Sequence, residues 1–226
     1  MLPKLSEDEA KIRIAKRIAK DFNSSKNVFI INLGVGIPTM VSNYIDNDLV
    51  FIQAENGMLG VGPFAKEGEV DDQLINAGRQ PVMETPGCSY FDSSISFGMI
   101  RGGHVDATVI GAFEVDQKGN VANWIIPNGK MLGVGGAMDL VTGAKKVIVA
   151  MQHLDKKGKP KIVRECRLPV TGFGVADLIV TEFACFSFEG NKLILKEIAP
   201  ELALDDLFSI TEAEFEVSPD LKCMDI

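Results

Sequence analysis

Histidine and cysteine are scarce in this chain of 226 residues: there are two histidines, His104 and His153, and four cysteines, Cys88, Cys166, Cys185 and Cys223. The cysteines are far apart and form no C-x-x-C pair, which argues against a metal site and against a disulfide framework. Two histidines leave few choices for a Ser-His-Asp triad, and no G-x-S-x-G elbow is present to supply the serine. Neither a G-x-x-x-x-G-K-S/T phosphate loop nor a G-x-G-x-x-G spacing after a first strand occurs, so nucleotide-fold chemistry has little support. No apolar run approaches the roughly eighteen residues of a membrane span. The first residues, MLPKLSEDEAKIR, carry acids where a signal peptide would be basic and then apolar, so a cytoplasmic location is expected. Repeats, heptads and low-complexity tracts are also missing.

What is present fits an ordinary globular protein, with 46% hydrophobic and 24% charged residues. One domain over residues 1–226, with a tail from about 218, is the expectation for this length. The net charge of −8 repels nucleic acid and anionic lipid, so neither is expected as a partner. It also repels a phosphate-bearing ligand. Attraction would then have to come from local cations such as Lys130, Lys145 and Lys146, from backbone N–H groups, or from a partner chain.

Ser6-Glu7-Asp8-Glu9 reads as a capping box, and Ile12, Ala15, Ile18, Ala19 and Phe22 follow at helical spacing. A strand over Val28–Asn32 then runs into a turn at Gly34 and Gly36 before Pro38 opens a helix. LVFIQ, DATVIGAFEV, KKVIVAMQHL and DLIVTEFACFSF read as further strands, and EGNKLILKEI as an edge hairpin. Several of these are continuous apolar runs, which suits a sheet covered on both faces; the class is α/β. LALDDLFSITEAEFEV reads as a helix, with Asp205 and Asp206 in its first turn, and then as extended chain, and SPDLKCMDI as the tail.

Glycines cluster after strands in LGVGIP, ENGMLGVGP, IRGGH and MLGVGGAMD. Such loops gather at the carboxyl ends of strands in α/β sheets, where ligands bind. Taken singly each is more often a turn than a site. In FIQAENGMLG, however, an apolar run ends on a carboxylate, Glu55, followed at once by Asn56-Gly57. The plain reading is a strand and a hairpin. Flanked by loops that expose backbone N–H groups, the same acid outlines a nucleophile facing an oxyanion hole. A carboxylate is already ionised at neutral pH and needs no general base.

The strings NLGVGIPTMV, QAENGMLGVGP, INAGRQPV, FDSSISFGMIRGGHVD, GNVANWIIP, GVGGAMDLVTGAKKVIV and LIVTE, in this order, resemble the β subunit of class I (3-oxoacid type) CoA-transferases. The resemblance runs from about residue 10 to about 220. It implies an open, mixed α/β sheet flanked by helices, of the CoA-transferase/ribose-phosphate-isomerase-like kind. It implies a separate α subunit, commonly in an α2β2 assembly, and coenzyme A as a carrier substrate with no permanently bound cofactor and no metal. The acids exchanged would be acetoacetate with butyrate, acetate or succinate. By the same resemblance Glu55 is the nucleophile and the backbone of Gly136 the oxyanion donor, helped by an asparagine of the α subunit. Gly34, Gly36, Asn56, Gly57 and Gly135 would line the substrate site. Ala54 stands where the family has serine, a lost hydroxyl contact. Arg101 and His104 match the family and suit a buried structural role as well as a catalytic one; Asp139 suits the first turn of a helix. Trp124 and Phe91 read as core or interface, and Cys88 as an inert apolar residue. An acyl-CoA hydrolase, or a non-catalytic acyl-CoA or sugar-phosphate sensor on the same fold, is the alternative.

Overall fold

The computed structural model describes residues 2–126, 129, 133–190 and 192–225. Helix α1 (Glu7–Asn23) begins at Ser6, whose hydroxyl accepts from Glu9 N while the Glu9 carboxylate accepts from Ser6 N. The expected capping box is therefore formed. Ala10, Ile14, Ala15, Ile18, Ala19 and Phe22 make its buried face, and Ile12 sits half-exposed beside it. Strand β1 (Phe29–Leu33) follows, then α2 (Ile37–Met40) with Pro38 in its first turn, continuing as a 3-10 turn.

Two antiparallel connections come next: β2 (Val50–Ala54), β3 (Met58–Phe64) and β4 (Val82–Tyr90) lie side by side. Helix α3 (Ser93–Arg101) leads to β5 (Ala107–Ile110), and β6 (Glu114–Asp116) and β7 (Val121–Ala122) follow it. Helix α4 (Ala137–Gly143) leads to β8 (Val147–Ala150), then β9 (Ile162–Val163) and β10 (Leu178–Val180). The chain closes with β11 (Ala184–Glu189), β12 (Lys192–Ile198), α5 (Leu204–Ile210) and β13 (Glu216–Cys223).

Among the described residues ten strands form one open mixed sheet in the order β13-β12-β11-β10-β8-β5-β1-β2-β3-β4, and β7-β6-β9 form a small second sheet. The central strands β2, β1, β5, β8 and β10 of the large sheet are mutually parallel. Ile31, Val109, Ile148 and Val180 pack on α1, whereas Ile30 packs with Ile100 and Leu140 of α3 and α4. Alternate residues of the central strands thus serve opposite faces, and both faces are covered, which is why β5 and β8 are apolar throughout.

Three expectations are corrected. DATVIGAFEV is two strands, because the chain leaves the large sheet after Ile110 and Phe113 N donates to Ala122 O of the small one. DLIVTEFACFSF is a hairpin whose turn has neither glycine nor proline; the Thr181 hydroxyl accepts from Phe183 N and Ala184 N and so replaces the turn residues. The C-terminal segment is a strand and not a tail. It pairs in parallel with β12, which removes EGNKLILKEI from the edge, and a register shift between Leu195 and Glu197 accommodates Pro219. Proline is tolerated at an edge strand or bulge. Met224, just past β13, is 2% exposed within the α1-side core, and its N–H donates to Ile198 O. A chain ending at Phe215 is accordingly expected to lose at least about 2 kcal/mol from the uncovered methionine pocket alone. A calorimetric scan would read this as a midpoint lowered by roughly 4 °C or more, with reduced solubility from the bared β12 edge.

Candidate functional site

Residues 55–57 form the loop of the β2–β3 hairpin, closed by Gly57 N donating to Ala54 O at 3.0 Å and by the pairing of Ala54 with Met58. The plain reading of Asn56-Gly57 as a hairpin turn therefore holds, and Glu55 is its first loop residue. Gly57 has φ 126°, and a β-carbon there would lie 2.0 Å from Phe91 O. Phe91 N also donates to Gly57 O at 3.0 Å, so the loop is pinned to the segment entering α3, whose first turn is capped by the Asp92 carboxylate. Asn56 is exposed and its Nδ2 donates to Ile75 O, tying the loop to the 75–81 turn on its other flank.

Glu55 is half-buried, and its Oε2 accepts from Asn32 Nδ2 at 3.0 Å; among the described residues Oε1 has no partner. Asn32, on β1, is fully buried and its Nδ2 also faces Gln53 O at 3.1 Å and Gln53 Oε1 at 2.8 Å. Gln53 Nε2 in turn donates to the Ser96 hydroxyl of α3 at 2.7 Å. Among the described residues Asn32 Oδ1 has no partner, nor has the hydroxyl of Thr108, its register neighbour on β5. This polar cluster lies on the α3 and α4 face at the carboxyl ends of parallel strands.

Gly136 immediately precedes α4. A β-carbon on it would lie 3.6 Å from Glu55 Cγ and 3.1 Å from the Phe97 ring of α3. The bare glycine therefore lets a main-chain segment approach the Glu55 side chain, and among the described residues its N–H has no acceptor. Gly135, with φ 53°, is exposed beside it. The structure thus brings Glu55, Gly135 and Gly136 together, with Asn56 and Gly57 shaping the loop. Gly34 serves packing: its N–H donates to Val109 O, and a β-carbon would lie 3.1 Å from that oxygen. Gly36 has φ 94° and starts α2 with nothing within 4 Å of the would-be β-carbon.

Arg101 and His104 are both exposed, so of the two roles left open for them the buried structural one does not apply. Arg101 pairs with Asp139 at 2.6 Å and lies over the Phe97 ring, linking α3 to α4 at the surface. Asp139 is in the first turn of α4, as expected. Of the lysines, Lys130 lies outside the described residues, while Lys145 and Lys146 precede β8 at the opposite end of the sheet from Glu55; Lys145 pairs with Asp106. His153 is sealed in the core between the Thr181 and Thr211 hydroxyls, and burial pushes its pKa down to about 3. It is a neutral structural group. Burial likewise raises the Cys88 thiol, in keeping with an inert role. Asn32, Gln53 and Ser96 were not singled out from the sequence. Their signal was there: FIINL and VFIQA each place one amide near the end of an otherwise apolar strand.

The sequence profile of the coenzyme A transferase family matches residues 11–209. The chain is 49% identical over 218 residues to the beta subunit of the acetate CoA-transferase of Haemophilus influenzae, covering 96% of each chain. It is 48% identical over 204 residues to one of the subunits of the succinyl-CoA:3-ketoacid coenzyme A transferase of Helicobacter pylori, covering 90% of this chain and 97% of that one. Among solved structures it superposes on an acyl-CoA transferase of Escherichia coli with a TM-score of 0.76 at 24% identity; the match takes in all of this chain and 45% of that one. The chain belongs to the coenzyme A transferase family, as a β-type subunit of its class I branch.

The loop geometry sets an order for two glycine substitutions. Gly36→Ala, strained but unobstructed, should cost roughly 1–3 kcal/mol. Gly57→Ala adds a collision with main chain and should cost clearly more. Urea midpoints of the two variants measured side by side would check this, equal losses contradicting the geometry.

Proposed function

We propose that this chain supplies the nucleophile of a CoA-transferase that moves coenzyme A between a short-chain acyl-CoA and a second carboxylic or 3-oxo acid. The observation that carries the reading is the Glu55 carboxylate, held through one oxygen by Asn32 with the other unpartnered among the described residues, against the bare backbone of Gly136. The Glu55 oxygen attacks the thioester carbonyl carbon, the C–S bond breaks, and an acyl-glutamyl anhydride and CoA thiolate result. The thiolate then attacks the glutamyl carbonyl and expels the first acid as its carboxylate, leaving a glutamyl-CoA thioester. The second carboxylate attacks that thioester and releases thiolate. Attack of the thiolate on the new acyl carbonyl forms the product and frees Glu55. No proton is gained or lost over the cycle, which is why a site without an available histidine suffices.

Each attack places negative charge on a carbonyl oxygen, and one well-aimed donor is worth roughly 3–4 kcal/mol of barrier. The Gly136 N–H is the donor on this chain, and a carboxamide of an α subunit is the second. The relatives are themselves named as single subunits of larger enzymes, one of them as a beta subunit, which supports such a partner, in an α2β2 assembly. Acetoacetate is the preferred 3-oxo acid, with succinate, acetate or butyrate as the other; the first two accord with those same names. Attraction for the coenzyme's phosphates comes from the partner or from main-chain N–H groups, since Lys145 and Lys146 are at the wrong end of the sheet. A cytoplasmic location suits these acids.

In the complex with its α-type partner, Glu55→Ala is expected to abolish transfer, and Glu55→Asp to lose about a hundredfold because the attacking oxygen is drawn back by one methylene. Incubation with acyl-CoA followed by hydroxylamine, read by peptide mass spectrometry, should mark Glu55. Near-normal transfer by Glu55→Ala would refute the assignment. Release of free CoA at the transfer rate without an acceptor acid would instead identify a hydrolase.

A further inference from the structure

Two hydrogens on Asn32 Nδ2 confront three acceptors: Gln53 O, Gln53 Oε1 and Glu55 Oε2, at 3.1, 2.8 and 3.0 Å. A carboxamide turned end for end would set Asn32 Oδ1 against two carbonyl oxygens and a carboxylate, so the observed orientation is enforced by this set. Turning Gln53 over would set its Nε2 against Asn32 Nδ2, donor against donor, and in the observed sense Nε2 is received by the Ser96 hydroxyl at 2.7 Å. Gln53 is 1% exposed and Ser96 0%, and the hydrogen bonds that lead from them to Glu55 run through Asn32. We infer that Gln53 and Ser96 are positioning residues for Glu55: they orient the Asn32 carboxamide and provide it with a spare acceptor. This rests on the reading of Glu55 as the nucleophile.

The spare acceptor matters because the charge on Glu55 changes during the cycle. As a carboxylate, Glu55 is the strongest of the three acceptors, and one Nδ2 hydrogen goes to it. Once acylated it is an uncharged ester-like carbonyl and a poorer acceptor. Both hydrogens are then taken by Gln53 O and Oε1, so that no buried donor is stranded when the glutamyl group turns toward the thiolate. When the carboxylate is regenerated the hydrogen returns to it. Asn32 thus grips the nucleophile when it is free and releases it when it is loaded.

Without the Ser96 hydroxyl the buried Gln53 Nε2 loses its acceptor, and a carboxamide that shifts to find another draws Oε1 away from Asn32 Nδ2. The attachment of α3 does not depend on this contact, since Ile100 is packed with Val105 and Leu140 and the helix start is capped by Asp92.

The test is a double-mutant cycle on the complex with the α-type partner, following single-turnover formation of the glutamyl-CoA adduct from acetoacetyl-CoA by intact-protein mass. Ser96→Ala is expected to slow adduct formation at least tenfold with KM for the acyl-CoA changed less than twofold, and to have less than a twofold effect when introduced into Asn32→Ala. Gln53→Met should behave alike and gives the same test should Ser96→Ala fail to fold. Additive effects of Ser96→Ala and Asn32→Ala, or wild-type rates in both single variants, would overturn the proposal. An adduct on a residue other than Glu55 in the unmodified complex would overturn the reading of Glu55 itself, which separates the two failures.

Discussion

A carboxylate that is to act as a nucleophile at the end of an apolar strand, as proposed for Glu55, is caught between two demands. Full burial would favour its neutral form, and full exposure would leave it unaimed. The hydrogen bond from Asn32 Nδ2 to Glu55 Oε2 meets both demands, because it fixes one oxygen while the other has no partner among the described residues and the side chain stays half-exposed. The bond depends in turn on an amide buried in the middle of a parallel sheet, where an unpaired polar group costs on the order of 1–3 kcal/mol. Gln53 gives that amide an acceptor and is itself received by Ser96. The loop residues add the remaining constraint: Gly57 must be glycine for the hairpin to abut Phe91, and only then is Glu55 over Asn32.

Topology explains why the cluster forms where it does. The parallel strands run in the order β2-β1-β5-β8-β10, so β1 is flanked by the strand that follows it and by the strand that follows the first crossover on the other side. At such a switch point the loops leaving adjacent strands diverge to opposite faces and a crevice opens at the carboxyl ends. Gly34 leaves β1 at this crevice and Glu55 leaves β2 beside it. Gly136 reaches the same crevice by preceding α4, the helix that feeds β8. The ends of β1 and β2 and the segment entering α4, far from them in sequence, are thus neighbours because the sheet order puts them together, and Gly136 meets Glu55 there.

Much of this was legible from residues alone. The capping box at Ser6 and Glu9, the apolar central strands and the acid at the end of LVFIQAE all have local causes, so local reading finds them. The Thr181 turn was not legible because a threonine hydroxyl does there what glycine or proline usually does, and threonine is equally at home in a strand. β13 was hidden for the opposite reason. Proline and aspartate read as breakers, and only the neighbouring β12 edge with its register shift makes room for them. The role of Arg101 and His104 stayed open because whether a polar residue is covered depends on how α3 meets α4, which no local pattern carries. The roles of Asn32 and Gln53 needed the register of β1 on β2, which sets them side by side.

The exposure of Glu55 has a consequence for how the reaction proposed above can conserve its energy. An acyl-glutamyl anhydride or glutamyl thioester left in contact with water hydrolyses, and the thioester is then lost instead of transferred. Glu55 is half-buried in this chain, and the large apolar residues Val35, Ile95 and Met138 stand exposed on the β1 loop and on the first turns of α3 and α4. These surfaces belong to the same segments that carry or contact the glutamate. A second chain laid over them would bury apolar area and shed water from the nucleophile in one step, so that assembly and protection of the covalent intermediate draw on the same contact. A chain that hid Glu55 by itself would have to open again to admit two different acids and a coenzyme. In the assembly proposed above, dividing the site between two chains would leave the nucleophile held on one side and assign closure to the other.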